Sequence, residues 1–435
     1  MSEISSPAGC ASKIERNSLA AGVIWNLGAL AFLAAAGILL NLAIGRFYGP
    51  EVLGTFNIAF AIFIFLSQVA VFGLQLSALH AASTADTREE ELVRIVYGGL
   101  VACLGIAIAV SLVSILAIPF IAKLFPRVPD LPTAWLIAAP GLVPFALNKY
   151  LLGIVNGLQL MRAFAIVQGA RFALMLLALV AMALLGAPGE YLAAILTISE
   201  TILLLCLGAF VWRIVPFRAV GRMARSAADH VRFGVRVMPA GIVTELNSRV
   251  DVLILGALMN DRMAGIYTVA ALVYEAALQA VVVIRNNISP GLARDLRDDH
   301  LQHILGFSRR LGLAMLALAS LGGIVGYALF PWFLRIAFPA PDFLLAQEPL
   351  LWLLLALPFA AGPLSYSLIL SQAGCPGWQS VAMAIMLAAN IALNFLLIAA
   401  FGIAGAGMAM GLSAILGGLT IIVLARLILG VRLFF

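Results

Sequence analysis

Apolar runs of about 20 or more residues recur from one end of this chain to the other. Hydrocarbon offers no water to the backbone, so runs of this length must satisfy their own N–H and C=O groups, as transmembrane α-helices do. They fall near 19–45, 52–78, 92–118, 131–157, 160–186, 190–213, 233–258, 264–289, 307–330, 346–372, 377–400 and 404–428. The connectors are too short for a folded soluble domain. The expected fold is therefore an all-α integral membrane protein with twelve transmembrane helices. Composition agrees: 63% of the 435 residues are hydrophobic and 11% charged, too little polar surface for a soluble globule of this size. Cys10, Cys103, Cys206 and Cys375 are scattered, so neither a disulfide framework nor a metal site is indicated. Pro7-Ala8-Gly9-Cys10 resembles a lipoprotein cleavage box, but no apolar segment precedes it, and that reading is rejected.

Lysine and arginine placement sets the expected orientation. Arg213, Arg218, Arg222, Arg225, Arg232 and Arg236 crowd the connector after the sixth run; Arg294, Arg297, Arg309 and Arg310 crowd the one after the eighth. The other face offers only Arg46, Lys123, Arg127, Arg262 and Arg335. Both termini are then cytoplasmic. This divides the chain into a cytoplasmic tail (1–18), a six-helix bundle (19–213), a basic cytoplasmic linker (214–232) and a second six-helix bundle (233–435). An internal repeat supports the division. Gly45-Arg46-Phe47 through Gly54-Thr55-Phe56 aligns at constant offset with Gly256-Ala257-Leu258 through Gly265-Ile266-Tyr267. In each half a glycine ends one span and a Gly-x-aromatic opens the next. Pro140 and Pro144 kink the fourth span as Pro358 and Pro363 kink the tenth. Six spans per half make the repeat parallel and pseudo-symmetric, with the site expected between the halves.

Charge inside the spans is the functional signal, since each such group costs roughly 2.5–3.5 kcal/mol at the bilayer centre. Glu245, Arg249, Asp251, Glu275 and Arg285 crowd the seventh and eighth spans, and Lys149, Arg171 and Glu200 lie in the fourth to sixth. Glu245 and Arg249 are i and i+4, in the favourable order for an ion pair. Arg171 has no acid at i±4 and lies about 15 Å into its span, too deep to snorkel. Asn57, Gln68 and Gln75 fall within about 20° of one another on an ideal helix, and Glu275, Gln279 and Asn286 form a similar stripe. His80, His230, His300 and His303 all fall in cytoplasmic connectors.

Several positions together resemble a known family: Pro239 opening the seventh span, Asp251, Gly265-Ile266-Tyr267, and Pro290 closing the eighth. Arg46-Phe47-Tyr48-Gly49 with Gly54-Thr55-Phe56, and Gly374, Asn390, Asn394 and Gly402-Ile403-Ala404-Gly405-Ala406, extend the likeness over the whole chain. The pattern is similar to the polysaccharide transport proteins, which include the O-antigen flippases of the multidrug/oligosaccharidyl-lipid/polysaccharide exporter superfamily. The resemblance implies two six-helix bundles around a central cavity, working by alternating access in the bacterial inner membrane. The implied substrate is an undecaprenyl-pyrophosphate-linked oligosaccharide, an O-antigen or exopolysaccharide repeat unit, turned from the cytoplasmic to the outer leaflet. Membrane lipids are the other expected partners, with a polysaccharide polymerase and glycosyltransferases of the same pathway; nucleic acid and cofactors are not expected. A pyrophosphate needs cations in a low-dielectric cavity, for which Arg171 and Arg249, with Lys149 and Arg285, are the candidates. Asn57, Gln68, Gln75 and Gln279 suit sugar hydroxyls, and Asp251, Glu275, Glu245 and Glu200 are candidates for a coupling ion. A drug or cation antiporter of the same superfamily is the nearest rival, but it would want an acidic cavity. A membrane polymerase or ligase would want a sizeable outer loop, and the longest here, about 330–346, offers only Arg335 and Asp342.

Overall fold

The computed structural model describes residues 19–85, 89–218, 221–298 and 300–434, with side chains from Ala35 onward. The expected tail 1–18, with Cys10, lies outside the described residues. All regular structure among the described residues is helical. Nine helices there are long and apolar enough to cross a membrane, and the chain is a multi-pass membrane protein.

Two helices, of 53 and 54 residues, are long enough for two crossings of about 20 residues each. Helix α1, Leu19–Val71, breaks at Gly49 (φ 88°, ψ 177°), a conformation costly for any residue with a Cβ. Pro50 follows and has no N–H to continue the ladder. The expected end of the first span at Gly45 is thus displaced to Gly49; Gly45 stays helical and instead lets Phe338 and Phe343 approach. At its other end α1 stops at Val71, where Phe72 and Gly73 take φ of 54° and 71° before α2, Leu74–Thr84. Gln75 therefore belongs to a different helix from Asn57 and Gln68, and the shared face assumed for the three does not exist. The stripe required an unbroken helix.

Helices α3 (Glu89–Leu116), α4 (Ile118–Leu124) and α5 (Leu131–Ala138) follow. A 3-10 turn at Ala139–Gly141, where Pro140 interrupts the ladder, leads into α6, Leu142–Gly157, so the expected kink is present. Helices α7 (Met161–Leu184) and α8 (Ala194–Ile214) precede the basic connector. The connector is itself partly helical. Helix α9 runs Met223–Asn247 with Pro239 inside it, so helix begins 16 residues before the proline expected to open the seventh span. Ser248 and Arg249 then interrupt the helix before α10, Val250–Leu258. The remaining helices are α11 (Asp261–Arg297), α12 (Leu301–Ala337), α13 (Gln347–Leu364), α14 (Ile369–Gln372) and α15 (Pro376–Leu429), the last broken at Gly402.

The chain forms two compact units that do not follow sequence order. The first holds the described residues of Ala59–Leu124 and Pro129–Glu245 with the described chain up to Asn41. Its core surrounds Tyr150, with Leu74, Val96, Cys103 and Leu207. Gly99 lets the Tyr150 ring lie against α3, and the phenol donates to the Ile95 carbonyl at 2.7 Å. The second unit holds Leu42–Ile58, Phe125–Val128 and the chain from Leu246. Its core includes Ile304, Tyr366, Ile369, Ile421 and Leu433.

Candidate functional site

The first unit gathers its intramembrane charges around one aromatic ring. Phe145 and Lys149 are i and i+4 on α6, which places the ammonium 5.0 Å from the ring centroid. Arg171 of α7 reaches the same ring, its guanidinium carbon 4.6 Å away. Phe63 packs edge-on to Phe145 at 5.3 Å. Arg171 Nε lies 2.6 Å from Glu200 Oε1 on α8. Asn148 Nδ2 donates to Glu200 Oε2 at 2.8 Å and to its backbone oxygen at 2.9 Å. Arg171 lacks an acid on its own helix, and the structure supplies one from the next. Lys149 Nζ is 4.0 Å from Glu245 Oε1, which also accepts from Gln68 Nε2 at 2.9 Å. Sequence reasoning missed Phe145 and Asn148; the i,i+4 spacing of Phe145 and Lys149 was the available signal.

In the second unit Arg249 lies in the break between α9 and α10, with Nη1 3.6 Å from Glu275 Oε1. Glu245 and Arg249, expected as an i,i+4 ion pair, lie on either side of the helix end at Asn247. Asp251 is 4% exposed and accepts from the Tyr267 hydroxyl at 2.5 Å. Asn390 Nδ2 donates to Asn247 Oδ1 at 3.2 Å, and Asn394 Nδ2 to Asn390 Oδ1 at 2.7 Å. One turn beyond Asn247 and Asn390 lie Asp251 and Asn394, whose Oδ1 atoms are both buried without a hydrogen bond among the described residues. Asn57 is buried and donates to its own helix at Leu53 O, 2.9 Å. The Gln75 carbonyl oxygen is likewise buried without a partner among the described residues. Gln279 is exposed, and Arg285 Nε donates to Asn286 Oδ1 at 3.4 Å.

The two repeated segments meet in this second unit. Gly54 lies against the Asp261 carbonyl and Gly265 against that of Pro50, so close that a Cβ on either would overlap backbone. Thr55 Oγ1 donates to Asp261 Oδ2 at 3.3 Å, and Arg262 pairs with Asp342 at 2.6 Å and Glu51 at 3.6 Å. Arg46 donates to the carbonyls of Ile336 and Ala337 at 2.9 and 3.0 Å, and Arg127 to that of Leu258 at 2.8 Å. These arginines satisfy orphan carbonyls at helix C-termini, a role their sequence neighbourhood did not show.

On α9, ahead of the expected seventh span, His230 takes a hydrogen bond from Ser77 Oγ (2.8 Å) and donates from Nε2 to Ile95 O (3.2 Å). Burial lowers its pKa, against the raising influence of the Ile95 carbonyl and Asp229.

The helical arrangement defines a class. The chain has the fold of transporters of the multidrug/oligosaccharidyl-lipid/polysaccharide superfamily. It superposes on the lipid II flippase MurJ in an inward closed conformation with TM-score 0.76 at 15% identity, over 93% of this chain and 87% of that one. An inward-facing multidrug resistance MATE family transporter gives TM-score 0.70 at 12% identity, over 92% and 94%. A mutant of the Vibrio cholerae MATE transporter VcmN gives 0.58 at 14%, over 97% and 98%. No curated protein sequence matches the chain. Residues 19–293 match the polysaccharide biosynthesis protein family, and the chain belongs to that family.

Proposed function

We propose that this protein is a flippase that carries an undecaprenyl-pyrophosphate-linked oligosaccharide, an O-antigen or exopolysaccharide repeat unit, across the bacterial inner membrane. The observation that carries the reading is the Lys149–Arg171–Phe145 cluster, intramembrane cations with amide donors beside them in a chain of the polysaccharide biosynthesis family. A lipid-linked sugar needs both kinds of group, cations for its phosphates and amides for its hydroxyls. The fold likeness to a lipid II flippase supports the same substrate class.

On this reading the chain crosses the membrane twelve times. The helices interrupted at Gly49 and Gly402 each supply two crossings, and α9 with α10 supplies a broken one. Both termini are cytoplasmic, and the Gly54–Gly265 crossing closes the outer side. Asp251, with a buried oxygen that has no hydrogen-bond partner among the described residues, is the coupling-ion candidate, and Glu275 the second. Arg249 and Arg285 line the substrate path from the second half. Multidrug export is the alternative, favoured by the likeness to MATE transporters. Basic groups at Lys149 and Arg171 suit a cationic drug poorly.

The test is the lipid pool of a strain lacking the protein. Accumulation of a completed undecaprenyl-pyrophosphate oligosaccharide on the cytoplasmic side is expected. A normal pool with heightened sensitivity to cationic compounds would sink the flippase reading in favour of the antiporter.

A further inference from the structure

The two cations at Phe145 are held very differently, and the difference separates their roles. Arg171 is locked: 14% of its side chain is exposed, its partner Glu200 only 3%, and their contact is 2.6 Å. Both oxygens of Glu200 are occupied, Oε1 by Arg171 and Oε2 by Asn148. An incoming anion would have to strip a buried carboxylate of the cation that neutralises it. Lys149 and Glu245 are open by comparison, with 21% and 34% of their side chains exposed. Their 4.0 Å separation is a Coulombic contact beyond hydrogen-bonding distance. Glu245 Oε1 is meanwhile held at 2.9 Å by Gln68. Loss of Lys149 would therefore leave that carboxylate with a hydrogen bond still made.

We infer that Lys149 is the receptor for the substrate's anionic group and that Glu245, steadied by Gln68, is a resident counter-ion which the anion displaces. Arg171 is then a positioning residue, which with Glu200 and Asn148 fixes the Phe145 ring over which Lys149 lies. The exchange is favourable because a pyrophosphate brings more than one negative charge and several acceptor oxygens, against one carboxylate at long range. It also sets specificity. A neutral prenyl alcohol cannot displace Glu245, and a cation would be repelled by Lys149. The inference rests on the lipid-pyrophosphate reading above and names the atom at which that substrate is recognised.

The experiment measures binding of geranylgeranyl pyrophosphate, with geranylgeraniol as the neutral control, to the full chain in nanodiscs. The wild-type chain, Lys149→Gln, Lys149→Arg and Glu245→Gln are compared. Wild-type protein should prefer the pyrophosphate. Lys149→Gln should lose that preference, and Lys149→Arg should keep most of it. Glu245→Gln should bind the pyrophosphate about tenfold tighter, about 1.4 kcal/mol, because the competing charge is gone. A folding defect weakens binding and cannot tighten it, so the opposite signs protect the interpretation. Glu245→Gln weakening binding as Lys149→Gln does, or Lys149→Gln binding like wild type, would overturn the inference while leaving the substrate class standing. No preference for pyrophosphate over alcohol in the wild-type chain would overturn both.

Discussion

Glu200 shows how one residue can make a charged cluster tolerable inside a membrane helix. Its carboxylate meets Arg171 on one oxygen and Asn148 on the other, so the charge is paired and its lone pairs are engaged. Removing one partner of such a pair leaves the other buried and uncompensated, which costs about 3–5 kcal/mol. Glu200→Gln should therefore lower stability by about that amount, measured by unfolding in detergent. The double replacement Arg171→Leu with Glu200→Leu should recover much of the loss, because an apolar pair of similar volume needs no compensation. Equal destabilisation by the single and double variants would contradict this account. His230 makes a second prediction, through pH. Its folded-state pKa is lowered by burial, so folding favours the neutral ring. That contribution is fully present above the ordinary value of about 6.5 and is lost as pH falls through the lowered one. The midpoint of unfolding should drop between about pH 7 and pH 5, and His230→Gln should flatten that slope. An identical slope in the variant would place the pH dependence elsewhere.

At the scale of elements, the breaks matter as much as the helices. Gly49 sits at φ 88°, ψ 177°, a region open essentially to glycine, and a Cβ there would meet only Glu51 Oε2 at 3.6 Å. Space is not the constraint, so Gly49→Ala isolates the backbone cost, about 1–3 kcal/mol. A fully stable Gly49→Ala chain would show that the break relaxes into continuous helix. The apolar runs were legible because hydrocarbon burial demands them, and the proline-bearing interruption at Ala139–Gly141 was legible because proline has no N–H. The breaks at Phe72–Gly73 and Ser248–Arg249 were not. Hydropathy averages over a window longer than the break, and the angular argument for Asn57, Gln68 and Gln75 presupposes one axis. Arg171–Glu200 was illegible for another reason: the two lie 29 positions apart on separate helices, and only packing brings them together. Residue types identified the chemistry of the candidate site, while its pairings are tertiary.

For the whole molecule, alternating access requires one end to close and reopen, and the proposed function places the outer closure where the repeated segments cross. The crossing allows nothing larger than hydrogen at Gly54 or Gly265, because each lies against the other segment's backbone carbonyl. Backbone cannot swing aside as a flexible side chain can, so a side chain there must separate the helices. Closure is also fastened by Arg262 to Asp342 and Glu51 and by Thr55 to Asp261, polar contacts that are lost if the helices part. Gly54→Leu should therefore leave the chain inserted in the membrane but trapped with this end open. Export in a deletion strain should fall at least about tenfold, since the open state would have to be favoured by only about 1.4 kcal/mol to have that effect. Gly265→Leu should act in the same way, and the double variant should be little worse than either, because both wedge one crossing. A single cysteine at Thr55 in an otherwise cysteine-free chain provides the structural readout. It should resist an impermeant maleimide added outside the cell in the parent protein and react in the Gly54→Leu background. Normal export by Gly54→Leu, or labelling of Thr55→Cys only from the cytoplasmic side, would remove this crossing as the outer closure.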